Sequence, residues 1–126
     1  LVMNGDVLSR VDYAKLLQFH EENKSTATIC VRELQTEIPF GVVKTRGSKI
    51  ESLEEKPMLT HRINAGIYVL NPEMIGLLSK GQVCDMPQLL EKGLKQNLNI
   101  HAFPLHEYWA DVGEPQKYEQ VNGEWQ

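Results

Sequence analysis

Cysteine, clustered charge and long apolar runs are all scarce in this sequence. Its two cysteines, Cys30 and Cys84, stand far apart, without CxxC spacing or nearby histidine pairs. That pattern provides neither a disulfide framework nor a zinc site, and each reads as a reduced thiol packing like a small hydrophobe. Thirteen basic residues face seventeen acidic ones, for a net charge of −4, and no five like charges follow one another. A nucleic-acid or membrane-surface footprint is thereby excluded, so any anionic ligand must be bound by a local arrangement. Apolar stretches such as Ile67 to Leu70 fall far short of the roughly 18 residues that span a bilayer, and no signal-peptide pattern is present. The expectation is a soluble, cytoplasmic chain. His20, His61, His101 and His106 lack metal-ligand spacing, and no serine lies in a nucleophile elbow, which disfavours zinc or triad hydrolysis. There is no GxGxxG or Walker loop either, so a glycine-rich phosphate cradle must come from elsewhere.

What is present is an ordinary globular composition: 126 residues, 41% apolar and 24% charged. This sets an expectation of one domain, and no repeat, low-complexity tract or linker interrupts it. The opening Leu1 lies inside an apolar run, as in a piece of a larger domain. Leu1 to Met3 read as the end of a buried strand running into the turn Asn4-Gly5-Asp6. Ser9 with Asp12 predicts a capping box for a helix reaching about Glu22, and Ala27 to Val31 predicts a strand. Phe40 to Thr45 and Lys49 to Leu53 flank Arg46-Gly47-Ser48 as a hairpin. Ile63 to Leu70 reads as a strand in which Gly66 marks a close approach, open to a ligand or a neighbouring chain. Asn71-Pro72 starts a helix ending near Lys80-Gly81, and Asp85 with Gln88 caps another. Strands at Leu98 to Phe103 and Tyr108 to Ala110 follow, and Pro115 opens a last helix. The pattern is mixed α/β.

Two groups of residues carry chemistry. Asp6 and Asp111 each stand just past a predicted strand end beside a glycine, where ligands collect in α/β sheets. Two such carboxylates suit Mg²⁺, which takes one or two of them and fills its other positions with water and phosphate oxygens. The same aspartates serve equally as a turn former and a helix-flanking cap. In Glu54-Glu55-Lys56-Pro57, the proline predicts an extended Lys56, presetting an ammonium suited to phosphate, while Glu55 suits sugar hydroxyls. An exposed loop with an ion pair of little consequence is the plain alternative. Tyr108 and Trp109 read as core anchors rather than a stacking platform.

In order, LVMNGD, FGVV, LEEKP, NAGIYVLNP and YWADVGEPQKY resemble the sugar-1-phosphate nucleotidylyltransferases, over essentially the whole chain. The resemblance implies a partial three-layer α/β/α Rossmann-like domain with a mixed sheet. It identifies residues 1–126 as the C-terminal, sugar-phosphate-binding part of a catalytic domain whose nucleotide-binding part precedes it. It further implies that Asp6 and Asp111 bind Mg²⁺, that Lys56 partners the sugar phosphate and that Glu55 accepts sugar hydroxyls. Gly41, Asn64, Ala65 and Gly66 would line the sugar pocket. Glu114 departs from the family wording, where threonine is frequent, and replaces a good helix cap with an extra carboxylate. The wording sits nearest the mannose-1-phosphate guanylyltransferase branch, with glucose-1-phosphate thymidylyltransferases next.

The implied reaction is attack of a sugar-1-phosphate oxygen on the α-phosphorus of a nucleoside triphosphate, with release of pyrophosphate. Two other readings stay open: a non-catalytic sugar-phosphate-binding regulatory module, and a nucleotide-sugar-dependent glycosyltransferase. An exposed sheet edge leaves room for a homo-oligomer.

Overall fold

In the computed structural model, which describes residues 1–113 and 115–124, twelve elements follow one another. They are β1 (Val2–Met3), β2 (Val7–Ser9), α1 (Tyr13–Glu22), β3 (Ala27–Glu37), β4 (Val42–Arg46), β5 (Lys49–Glu54), β6 (Met58–Leu70), α2 (Pro72–Ile75), α3 (Met86–Lys95), β7 (Ile100–Pro104), β8 (Trp109–Asp111) and α4 (Pro115–Glu124). The chain divides into two compact units: Leu1–Arg32 with Asn64–Gln126, and Glu33–Ile63.

The first unit is built on a sheet of order β1-β6-β3-β7. β1 runs antiparallel to β6, pairing Val2 with Tyr68, while β3 runs parallel to β7, pairing Ala27 with Ile100. The sheet is therefore mixed. Strand alternation divides its side chains between two cores. Ala65, Ile67 and Val69 of β6 join Cys30 of β3 and Leu16 of α1 on one face. Tyr68 and Ala27 turn to the other face, against Met74 of α2 and Leu89 and Leu90 of α3. Helices thus cover both faces, giving the three layers expected from the resemblance. Each fully buried Leu, Ile or Val in these layers contributes about 1.5–3 kcal/mol.

Local chemistry sets the helix boundaries. Asp12, and not Ser9, caps α1: its side chain accepts from the Lys15 amide at 3.1 Å. Ser9 belongs instead to β2, where its Oγ accepts from the Val11 amide at 3.2 Å. The capping box of α3 is present as expected, with Asp85 and Gln88 exchanging bonds of 2.9 and 3.0 Å. By contrast, α2 is a single turn rather than a helix to Lys80. Met74 is buried but Ile75 and Leu78 are exposed, so a longer helix would lack the packed face that stabilises short helices.

A polar network crosses this core. His20 sits between Thr28 Oγ1 and Asn71 Oδ1, at 2.7 Å from each. Asn71 Nδ2 donates to the Ser25 carbonyl at 3.0 Å, which turns its Oδ1 toward His20 Nε2 and makes that nitrogen the donor. The ring therefore ties α1 to β3 and to the start of α2. Ser25 Oγ lies 2.7 Å from His101 Nδ1. Both histidines have structural partners.

In the second unit, β4 and β5 form the expected antiparallel hairpin, with Gly47 at φ 60° in its turn. Exposed pairs, Arg46 with Glu51 at 3.0 Å and Lys44 with Glu54 at 3.9 Å, decorate it and stabilise it little. β3 and β6 run further than the sequence pattern suggests, to Glu37 and from Met58. Their added residues are largely exposed and carry no clear hydrophobic period, whereas backbone pairing such as Ile38 N–H to Pro57 O at 3.0 Å needs none. Among the described residues no helix is long and apolar enough to cross a membrane.

Burial, aided by the negative charge of Glu107, pushes the Cys30 thiol from an ordinary 9.0 up to about 12. The unfolded chain releases that proton near its ordinary value while the folded chain retains it, so the thiol's contribution to stability is whole below about pH 9. It is lost as pH rises toward 12. Urea midpoints should fall across this alkaline range and fall less steeply in Cys30→Ala; equal slopes would exclude Cys30 as the cause.

Candidate functional site

Asp6 lies in the turn between β1 and β2, and Asp111 is the last residue of β8 rather than a residue beyond it. These come from opposite ends of the sequence and are joined by a short ribbon that the hydrophobic pattern does not reveal. β2 pairs antiparallel with β8: Val7 with Asp111, Leu8 with Ala110, Ser9 with Trp109. Two further backbone bonds frame it, Arg10 N–H to Tyr108 O at 2.9 Å and Val112 N–H to Asp6 O at 2.7 Å. The second bond sets the Asp6 backbone directly against the residue after Asp111.

The carboxylates converge. A Cβ placed on Gly113 would lie 2.9 Å from Asp6 Oδ2 and 3.1 Å from Asp111 Oδ1. The Gly113 amide donates to Asp111 Oδ1 at 2.9 Å, holding that side chain against its own turn. Among the described residues there is no group of three or more His, Cys, Asp or Glu able to hold a metal. A two-carboxylate oxygen site fits Mg²⁺ better than zinc, because Mg²⁺ keeps water and phosphate oxygens in its remaining positions. Asp6 and Asp111 could hold such an ion.

Beside this turn, Gly66 adopts φ 75°, and the close approach its sequence position suggests is made by the chain's own Asn4. A Cβ on Gly66 would meet Asn4 Nδ2 at 2.7 Å and Val7 Cγ2 at 3.2 Å. Asn4 N–H also donates to Gly66 O at 2.8 Å. The gap expected for a ligand or neighbouring chain is therefore filled from within. Asn64 is exposed and its amide is oriented on both sides, accepting from Gly66 N–H and donating to Tyr68 OH, each at 2.8 Å. Ala65 is buried, and its carbonyl accepts from the Trp109 indole at 2.6 Å. Arg32 in turn donates to the Trp109 carbonyl at 3.2 Å and lies over the indole ring, 5.7 Å from its centroid. Trp109 is a core anchor, as expected, and it also ties the Asp111 strand to the Asn64–Gly66 segment.

Gly41, Glu55 and Lys56 belong to the second unit. Gly41 and Glu55 are neighbours: a Cβ on Gly41 would lie 3.2 Å from Glu55 Oε2. Lys56 departs from the extended conformation expected before proline and has φ 44°. Only Glu55, Lys56 and Pro57 connect β5 to β6. Proline disfavours the right-handed helical region for its predecessor, and Lys56 avoids that region without taking the extended one. Glu114, the departure from the family wording, lies outside the described residues.

Sequence reasoning missed Asn4 and Gly113 as parts of this arrangement. The signal for both was present as the residues flanking Asp6 and Asp111, but only the β2–β8 ribbon gives them a common purpose.

A family model described as nucleotidyl transferase matches residues 1–126. The chain is 35% identical to a mannose-1-phosphate guanyltransferase of Yarrowia lipolytica over 125 residues, covering 93% of the chain and 33% of that protein. It is 33% identical to a glucose-1-phosphate adenylyltransferase of Clostridium novyi over 138 residues, covering 97% of the chain and 35% of that protein. Among solved structures it resembles HddC from Yersinia pseudotuberculosis, with a TM-score of 0.65 and 23% identity, over 98% of this chain and 54% of that one. It also resembles a putative glucose-1-phosphate thymidylyltransferase from Bacillus anthracis, with a TM-score of 0.65 and 19% identity, over 94% and 51% of the two chains. The chain therefore spans about a third of the length of these curated relatives.

Proposed function

This chain belongs to the nucleotidyl transferase family, and on that premise we propose that its protein joins a nucleoside triphosphate to a hexose-1-phosphate, giving a nucleotide sugar and pyrophosphate. The observation that carries this reading is the convergence of Asp6 and Asp111 beside Gly113. An oxygen of the sugar phosphate attacks the α-phosphorus. A new P–O bond forms there as the bond from the α-phosphorus to the bridging oxygen breaks, and pyrophosphate leaves with the electron pair. No covalent enzyme intermediate is required. The protein's contribution is to hold two polyanions in line and to offset their repulsion.

Asp6 and Asp111 are the proposed Mg²⁺ ligands, and the ion would supply neutralisation of phosphate charge. Lys56 is the proposed partner of the sugar phosphate, acting as a point charge on a flexible stem. Glu55 would accept hydrogen bonds from sugar hydroxyls, with Gly41 leaving room beside it. Asn64, Ala65 and Gly66 would form the wall of the sugar site, held by the Trp109 and Asn4 contacts rather than by their own side chains. Guanine and mannose are the favoured base and sugar, since relatives named mannose-1-phosphate guanyltransferase recur among those matched. An adenylyl- or thymidylyltransferase acting on glucose-1-phosphate is the second reading, favoured by the similarity to proteins so named. The cytoplasm is the proposed location.

Pyrophosphate release by the full-length protein with Mg²⁺ tests this, using four nucleoside triphosphates against mannose-, glucose- and glucosamine-1-phosphate. Release with GTP and mannose-1-phosphate is expected. Release with another pair would move the assignment to the second reading. Sugar-phosphate binding without any release would favour a non-catalytic module, and consumption of a nucleotide sugar with transfer to an acceptor would favour a glycosyltransferase.

A further inference from the structure

Gly113 is a glycine without any of the usual reasons for being one. Its φ is not positive, unlike those of Gly47, Gly66 and Gly81, so the backbone there is open to any residue. It is exposed, so no packing of one element on another requires a missing side chain. What a side chain would meet is the pair of carboxylates: Asp6 Oδ2 at 2.9 Å and Asp111 Oδ1 at 3.1 Å from its Cβ. The first distance is shorter than real Cβ contacts, and both partners are side-chain oxygens rather than backbone, so the Asp6 carboxylate has to shift. A methyl group here would thus leave the fold intact and drive apart two oxygens that otherwise share one space.

We propose that Gly113 is a positioning residue for the divalent cation held by Asp6 and Asp111. Its amide fixes one carboxylate oxygen, through the 2.9 Å bond to Asp111 Oδ1, and its missing side chain is the room in which the second approaches. The two effects act together. The amide bond draws Asp111 back over its own turn, and the Val112 N–H to Asp6 O bond at 2.7 Å holds the Asp6 backbone at the same level. Both side chains are thereby directed into the volume above the Gly113 Cα. Hard divalent cations demand closely set oxygen ligands, so occupation of that volume by a methyl group weakens the site while the charge stays unchanged.

This inference rests on the carboxylate pair binding the cation, and the test separates the two. Free Mn²⁺ is measured by electron paramagnetic resonance in the presence of the full-length protein, with the metal alone as probe. The Mg²⁺ concentration giving half-maximal pyrophosphate release is measured in parallel. For Gly113→Ala the Mn²⁺ dissociation constant and the Mg²⁺ requirement should each rise about tenfold or more, with an unchanged circular dichroism spectrum and an unshifted thermal transition. Gly123→Ala, whose added methyl group meets nothing within 4 Å, should leave both values as they are. On an Asp6→Ala background, Gly113→Ala should add much less loss than on the wild type, because the closer of its two contacts, with Asp6 Oδ2, has been removed.

Wild-type Mn²⁺ affinity in a folded Gly113→Ala would overturn the inference. If Asp6→Ala and Asp111→Ala both weakened Mn²⁺ binding in that case, the carboxylate reading would survive alone. If neither did, the metal reading itself would fall. Should Gly113→Ala prove unfolded while the double variant with Asp6→Ala folds, the contact with Asp6 acts on the fold and the positioning inference is lost. If both are unfolded, Gly113 acts in the fold and the inference is lost.

Discussion

Asp111→Asn in the full-length protein is expected to lower Mg²⁺-dependent pyrophosphate release by on the order of a thousandfold, with little change in stability. The substitution removes charge and almost nothing else. Asparagine keeps an oxygen where Asp111 Oδ1 accepts from the Gly113 amide, so the turn after β8 retains its bond. The ladder to β2 is made of backbone groups and is indifferent to the change. What is lost is half the negative charge facing the shared volume above Gly113. Rate measurements at saturating Mg²⁺, set beside a urea titration, check this. Activity near wild type would remove Asp111 from the site, while equal losses of activity and stability would assign it to the fold.

Gly66→Ala is expected to destabilise the protein by about 2–3 kcal/mol. Backbone and packing both oppose it. At φ 75° an L-residue stands in the left-handed region, which costs roughly 1–2 kcal/mol. The new Cβ would also meet Asn4 Nδ2 at 2.7 Å and Val7 Cγ2 at 3.2 Å. Combining Gly66→Ala with Asn4→Ala separates much of the two costs: removing the Asn4 amide should relieve the closest contact and leave the backbone part with the Val7 contact. Equilibrium unfolding in urea measures each variant. A Gly66→Ala protein as stable as wild type would mean that the local backbone relaxes freely, and Gly66 would cease to be a rigid point beside the carboxylates.

These two residues show how legible the molecule is in its sequence. Gly66 reads as a close approach because glycine inside an apolar strand has few other uses, and the approach is there. Its occupant was not legible, since Asn4 reaches it only through the β1–β6 pairing. The α3 cap could be read from Asp85 and Gln88 because both partners lie within one helical turn. Ser9 and Asp12 have similar spacing, yet Ser9 was drawn into β2 by a partner strand far along the chain. Lys56 illustrates the same limit. The proline rule is local and disfavours the right-handed helical region, yet Lys56 stands at φ 44° rather than in the extended region the rule favours.

Composition, alternation and turn chemistry by themselves determined the α/β class, the hairpin at Val42–Glu54, the capping box of α3, and the candidate aspartates beside their glycines. All of these are properties of residues a few positions apart, where local sterics and hydrogen bonds dominate. Only the tertiary structure decided that Asp6 and Asp111 share one space, that Asn4 fills the gap at Gly66 and that Trp109 ties its strand to the Ala65 carbonyl. Such contacts arise when backbone pairing closes long loops, and a three-residue strand held by its partner carries too few side chains for any sequence period to announce it.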